Sequence, residues 1–409
     1  MTAGKIQSAE DLGLMAGAPP FDPDRRVTLA NWQEPPFNRW GFQHVSELIP
    51  SARIRRGDGL VWRLPARERD LSGMPIHHDG HALRLDHFLE RTYTDGIVVL
   101  HGSSILYERY FNSMRADSRH LLMSVSKSVT SSVCGVLVER GLLSPTDLVT
   151  THLPELVGTS WDGCTVRALL DMRAGTRFDE DYTNPEADVR VYEQIYLWRP
   201  RSDAGLPEDI TAYYGTLENV RPHGGPFDYR SILTDVLAWV MERAAGERLH
   251  ELISRELWQP MGAQADAEIT LDGYGNPMAD GGISCTLRDL ARFGLLLRHR
   301  GRRGEHHVVP SAWIDDTLTP DADTVEAFES SLDAREFPGG AYYRNQFWVI
   351  DAEAPIFLCS GINGQSVLIH GPADVVIAKF STWPVAWTKE FAVQTWKGLV
   401  DLAEKVAAG

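Results

Sequence analysis

Apolar positions follow no long period over residues 1–95, where Pro19-Pro20 and Pro35-Pro36 break the chain and loops are expected. Two short apolar runs, 97–100 and 105–110, flank His101-Gly102-Ser103-Ser104 and predict a β-hairpin. The period then changes. Val125, Val129, Val133, Val136 and Leu137 fall on one stripe and predict a helix over 124–140, stopped by Gly141. Ser144-Pro145-Thr146-Asp147 reads as a helix cap with proline at the first helical position, and Thr165 as the cap of a helix over 166–173. Ile232, Leu233, Val236, Leu237, Val240 and Met241 predict a helix over 231–245, and Thr286-Leu287-Arg288-Asp289 starts another. Strands return at 346–350, 366–370 and 375–380, with Gly371-Pro372 turning between the last two, and 385–407 reads as a closing helix.

A strand pair, a helical middle, a strand triplet and a helix imply one antiparallel sheet built from the early and late strands. The fold class expected is α/β (α+β), with that sheet lobe flanked by helices and an inserted, mostly helical lobe. The expected division is 1–95 as an irregular region packing on the sheet, 96–123 with 341–409 as the sheet lobe, and 124–340 as the helical lobe. A cleft between the lobes is the expected site.

The composition, 43% hydrophobic and 23% charged over 409 residues, is that of a globular protein. A net charge of -16 makes the chain a poor candidate for grasping phosphate backbones, which demand a basic face. The four cysteines stand far apart, which excludes a Cys-x-x-Cys zinc cluster. No apolar run reaches membrane-spanning length and the first 20 residues carry no export signal, so a cytoplasmic protein is expected. Arg298–His307 reads as a solvated basic loop, and His77-His78-Asp79-Gly80-His81 as a loop without a matching ligand set, so no metal is expected.

Lysine usage points to the chemistry. The chain has six lysines against 34 arginines, and between residues 6 and 378 the only lysine is Lys127. It sits at a predicted helix start among apolar residues, where burial would lower its pKa and favour an uncharged amine. Arginine cannot fill that role, because it does not deprotonate in proteins. Ser124 lies three residues earlier, on the same helix face and within reach of the amine. A base there would activate the hydroxyl, and the first helical turn offers N–H groups and positive potential to an oxyanion. There is no Gly-x-Ser-x-Gly elbow, His-Glu-x-x-His, P-loop or Rossmann fingerprint to compete with this pair.

The stretch His120-Leu121-Leu122-Met123-Ser124-Val125-Ser126-Lys127-Ser128 resembles the first motif of the serine β-lactamase and penicillin-recognising family, especially its class C and esterase branch. Leu169-Leu170-Asp171-Met172-Arg173-Ala174-Gly175 is similar to that family's helix-ending segment. Trp32-Gln33-Glu34-Pro35-Pro36-Phe37-Asn38-Arg39-Trp40, Asp181-Tyr182, Thr234-Asp235-Val236-Leu237-Ala238-Trp239 and Gly281-Gly282-Ile283-Ser284-Cys285-Thr286 resemble the branch that hydrolyses linear 6-aminohexanoate oligomers. The likeness runs from about Trp32 to Trp383.

The resemblance implies a β-lactamase/transpeptidase-like fold and further site residues. The family's second motif, Tyr-x-Asn or Tyr-x-Ser, matches Tyr229-Arg230-Ser231, with Tyr229 relaying the proton. Its third motif matches Cys359-Ser360-Gly361-Ile362, which makes Ile362 the second oxyanion donor beside Gly361. Cys359 replaces the family's Lys or His, so the positive charge that greets a β-lactam carboxylate is lost. By the same resemblance Tyr182 is the lid residue, Glu193 faces a substrate's amino end, Trp198 is an aromatic wall and Asp280 lines the pocket.

The expected function is a serine hydrolase of short carboxylic esters, extending to linear amides, through an acyl-enzyme on Ser124 and without a cofactor. The expected partner is a small ester or amide substrate, with no nucleic acid and no membrane, and a homodimer is compatible. Two alternatives stand beside it. One is a β-lactamase or D-Ala-D-Ala peptidase. The other is an acylable binder or sensor that does not turn over.

Overall fold

A computed structural model describes residues 6–78, 80–202 and 205–409. In chain order its strands are β1 (Ser51–Ile54), the hairpin β2 (Pro75–His78) and β3 (His81–Arg84), β4 (Thr94–His101), β5 (Ser104–Tyr110), β6 (Arg119–Leu121), β7 (Ala267–Thr270), β8 (Ile283–Thr286), the hairpin β9 (Arg302–Arg303) and β10 (His306–His307), β11 (Tyr342–Arg344), β12 (Phe347–Asp351), β13 (Ile356–Gly361), β14 (Gln365–His370) and β15 (Val375–Ser381).

The main sheet has seven antiparallel strands in the order β11-β12-β13-β14-β15-β4-β5, so early and late strands do meet as expected, Val99 pairing with Ile377. Both faces are covered, and the residues divide with period two. Val98, Leu100, Val376 and Ala378 join the larger core, while Ile97, Val99, Val375 and Ile377 pack under the closing helix Lys389–Ala408. The helix Leu287–Arg298, capped by Thr286, covers the first of these faces.

A second sheet, β1-β7-β8-β6, leads to the helix Val125–Glu139. The region before residue 95 is therefore not wholly irregular, since β1 pairs with β7 in that sheet and Leu85–Arg91 is helical. The segment at Ser144 also differs from expectation. Ser144 N–H donates to Asp147 Oδ2 at 2.8 Å in a turn, and the short helix begins later, at Val149. The side-chain acceptor that stabilises a helix cap closes a local turn equally well.

Arg298–His307 is not a freely solvated loop. Arg298 pairs with Asp374 at 2.9 Å, and Arg303 donates to the Pro260 carbonyl at 3.1 Å and to the Leu60 carbonyl. His77 lies in β2 and contacts Asp401 Oδ1 at 2.8 Å, while Asp79 is outside the described residues. Among the described residues no group of three or more His, Cys, Asp or Glu is placed to hold a metal, and no helix is long and apolar enough to cross a membrane.

Candidate active site

Strand β6 delivers the chain to Met123, whose φ of 47° lies in the left-handed region, at a cost of roughly 1–2 kcal/mol for a residue with a Cβ. This turn sets Ser124 at the start of the helix Val125–Glu139, beside its positive end. Lys127 follows on the same face and is only 1% exposed. Its Nζ donates to Ser124 Oγ at 2.9 Å, to Ser231 Oγ at 3.0 Å and to the Asp280 carbonyl at 3.0 Å, and it lies 3.4 Å from Asp280 Oδ2.

Tyr229 immediately precedes the segment that starts the helix Ile232–Ala245. Its hydroxyl is within hydrogen-bond reach of both Ser124 and Lys127, and the Lys127 ammonium lies 5.2 Å from its ring centroid. Serine and lysine from the start of one helix, and tyrosine from a loop about a hundred residues further on, thus converge on one point. Burial pushes the Tyr229 phenol up, against the pull of Lys127, so it is a neutral proton donor at rest.

The charge on Lys127 is opposite to the expectation from burial. Desolvation does pull its pKa down, but Tyr229, Asp280 and Glu180 together outweigh it and the net direction is upward. The resting amine is therefore an ammonium ion.

Two residues without an assigned role explain the balance of charges around it. Glu180 Oε1 accepts from the Ser231 hydroxyl at 2.5 Å and from Tyr182 at 2.7 Å, and its Oε2 accepts from Ser231 N–H at 2.7 Å. Asp235 Oδ1 accepts the N–H groups of Ala279 (2.7 Å) and Asp280 (3.1 Å). The Tyr192 hydroxyl donates to Asp280 Oδ1 at 2.8 Å and also contacts Asp235 Oδ2. One phenolic proton cannot serve two carboxylates. Burial and the neighbouring Asp280 raise Asp235 well above the carboxylate range, so Asp235 carries the second proton. Asp280 remains as the counter-charge in contact with Lys127.

The end of β13 closes the other side. A Cβ at Gly361 would stand 2.8 Å from the Leu122 carbonyl and 3.0 Å from Ser124 N, so only glycine permits this approach. It brings Ile362, which lines the cleft, up to the backbone of Ser124. Cys359 is buried beside the Ser128 hydroxyl, and burial pushes its thiol up to about 12. It is a packing residue and brings no positive charge to the cleft.

The chain is similar to known proteins at several levels. The beta-lactamase family profile matches residues 84–387, most of the chain. The chain belongs to the beta-lactamase family. It is 38% identical over 377 residues to a 6-aminohexanoate-dimer hydrolase of Paenarthrobacter ureafaciens, covering 91% of each chain. A Bacillus anthracis structure whose name groups it with the 6-aminohexanoate-dimer hydrolases superposes with a TM-score of 0.84 at 25% identity, over 94% of this chain and 98% of the other. A family VIII carboxylesterase shares the fold at a TM-score of 0.56 and 14% identity, over 75% of this chain and 92% of that one. The chain is thus a beta-lactamase-fold hydrolase close to the 6-aminohexanoate-dimer hydrolases.

Within this beta-lactamase-family cleft, Tyr182 borders three spaces of unequal size. One, of about 280 Å³, runs from Ser124 past Tyr229. A second, of about 520 Å³, opens past Arg190, Arg199 and Trp387, and the third, of about 20 Å³ and lined by Met123, Glu193, Trp198 and Asp280, has room for about one water. Trp198 is buried there with Nε1 donating to Thr270 Oγ1 at 3.1 Å. Glu193 lines the same recess, but its carboxylate is already taken. Arg190 Nη1 donates to it at 2.7 Å and Arg199 Nε at 2.5 Å. It faces the cleft as a neutralised group.

Glu180, Ser231, Asp235 and Tyr192 were not singled out by the sequence reading. Ser231 closes the second motif, and Asp235 follows it by one helical turn, so spacing alone offered a signal for those two.

Proposed function

We propose that this chain is a serine hydrolase that forms an acyl-enzyme on Ser124 and cleaves short carboxylic esters, with linear amides as slower substrates. The observation that carries this reading is the 2.9 Å contact between Lys127 Nζ and Ser124 Oγ, with the Tyr229 hydroxyl in reach of both.

The reaction starts when Lys127 releases a proton. The neutral amine takes the Ser124 proton as Oγ bonds the substrate carbonyl carbon, and the carbonyl electron pair moves onto oxygen. The N–H groups of Ser124 and Ile362 hold that oxyanion. On collapse the carbon–oxygen bond to the alcohol breaks, Tyr229 gives its proton to the departing oxygen, and Lys127 refills Tyr229. Water then adds to the acyl carbon, its proton passing to Lys127 and Tyr229, and Ser124 recovers its hydrogen as the acid leaves. Esters are favoured because an alkoxide departs with less help from a proton than an amide nitrogen does.

One feature supports esters and amides over β-lactams, in that Cys359 supplies no cation for a β-lactam carboxylate. Glu193, already paired with two arginines, favours esters over amides that end in an ammonium. Turnover of p-nitrophenyl acetate is the test. The expected result is multiple turnover, lost by a factor of about 10² or more in Ser124→Ala. Equal rates in that variant overturn the reading, as does a single stoichiometric burst with no turnover, which marks an acylable binder.

A further inference from the structure

The roomy side of the cleft has an ordered wall. The Tyr229 and Trp348 rings stack with centroids 5.5 Å apart at 19°, Trp348 and Phe337 at 5.3 Å and 9°, and Phe337 and Trp396 at 5.5 Å and 7°. Four nearly parallel rings therefore run from the phenol beside Ser124 to the closing helix. Tyr343 and Phe227 pack edge-on against Trp348, at 4.9 Å and 5.8 Å, and fix the middle of the ladder. Stacked and edge-on contacts are the preferred arrangements of such rings.

Leu358 and Trp387 line the same space, and its volume of about 280 Å³ has ample room for a ring. A cavity of about 150 Å³ already holds benzene. Among the described residues on its lining, Glu180, Asp333 and Glu336 are acidic and none is a lysine or arginine, so an arriving anion finds no cationic partner there. Of the two spaces that touch Ser124, the other, the 20 Å³ recess, has no room for a comparable group, and the 520 Å³ space beyond Tyr182 does not reach the nucleophile.

Direction follows from the chemistry. Tyr229 is both the inner rung of the ladder and the donor to the departing atom. The group that takes this proton therefore leaves along the ladder. We propose that the space walled by Tyr229, Trp348, Phe337 and Trp396 is a leaving-group subsite for uncharged aromatic or flat apolar alcohols, and that it disfavours leaving groups ending in a carboxylate. This assignment rests on the serine hydrolase reading and names its substrate class.

Three acetate esters and one mirror ester test it, with kcat/KM measured on the full chain. Benzyl acetate is expected to exceed ethyl acetate by about tenfold or more, the gain from burying a ring. 4-Carboxybenzyl acetate is expected to lose that gain. Ethyl phenylacetate, with its ring on the acyl side, is expected to show none of it. Phe337→Ala and Trp396→Ala should each lower the benzyl-to-ethyl ratio several-fold, with Phe337→Leu in between. The ratio within one preparation is independent of the fraction folded. A wild-type ratio near one overturns the subsite, as do a preference for ethyl phenylacetate and a ratio unmoved by the ladder variants. No turnover of any ester by the wild type overturns the hydrolase reading itself.

Discussion

Among the described residues two lysines are buried, Lys127 and Lys379, and their charges are set in opposite ways. Both are essentially inaccessible to solvent. Lys379, in β15 of the main sheet, donates to the Thr92 carbonyl at 3.3 Å and to the Ser381 hydroxyl, and burial draws it down to about 7 with Asp95 alone pulling the other way. Lys127 suffers the same burial, but Tyr229, Asp280 and Glu180 surround it and hold it above its ordinary value. Burial therefore does not determine whether a lysine is charged. The number of acidic partners within reach does. The amine poised near neutrality lies in the sheet, and the amine beside the nucleophile must shed a proton before it can act as a base.

The largest consequence concerns the active-site amine itself. Lys127→Ala is expected to lower kcat/KM for p-nitrophenyl acetate by roughly 10²–10⁴-fold, the range for a lost general base, with Tm measured alongside to separate folding from chemistry. Full activity in a folded variant would remove Lys127 from the mechanism. The pH profile probes its charge. Because the folded pKa of Lys127 is raised, the active neutral amine is scarce at pH 7, and kcat/KM should climb with pH on the alkaline side. Asp280→Asn removes one of the charges that hold the amine protonated, so this limb should move to lower pH. The plateau should fall by less than about tenfold, the scale of one hydrogen bond. A limb that stays in place would show that Asp280 does not set the charge of Lys127.

The contrast also marks what the chain reveals on inspection. Ser124 and Lys127 were legible because their spacing is a local helical relation, and the hairpin at 94–110 because two apolar runs flank one Gly/Ser turn. The expected helix over 124–140 differs from the observed Val125–Glu139 by a residue at each end. Strand β13, which carries Cys359 and Gly361, was not marked as a strand. Its run Ile356–Gly361 is short and does not alternate, as a strand covered on both faces does not. The sheet β1-β7-β8-β6 was invisible for a different reason, since β1 and β6 each pair with a strand more than a hundred residues away. The charge of Lys127 could not be read either, because Asp280 and Glu180 reach it only through the fold. Glu193 was expected to face a substrate's amino end, and its pairing with Arg199 was hidden for the same reason, although Arg190 lies within one helical turn of it.

The smallest effect falls on Lys379, and it bears on stability. Its pKa falls from 10.5 in an open chain to about 7 when folded. Between these values the unfolded chain binds more protons than the folded one, so stability should rise with pH from about 7 towards 10. Below pH 7 both states hold the proton and this contribution is flat. Raised groups such as Lys127 act only above the ordinary lysine range, outside this window. Lys379→Met keeps the length of the side chain and removes the titration. The difference in Tm between wild type and variant, followed from pH 6 to pH 10, should therefore slope in favour of the wild type as pH rises. Activity on esters in the same variant should follow its folded fraction, since Lys379 touches none of Ser124, Lys127 or Tyr229. A pH-independent difference in Tm would show that Lys379 keeps its proton in the sheet, and that Asp95 matches inside it what the groups around Lys127 do for that amine.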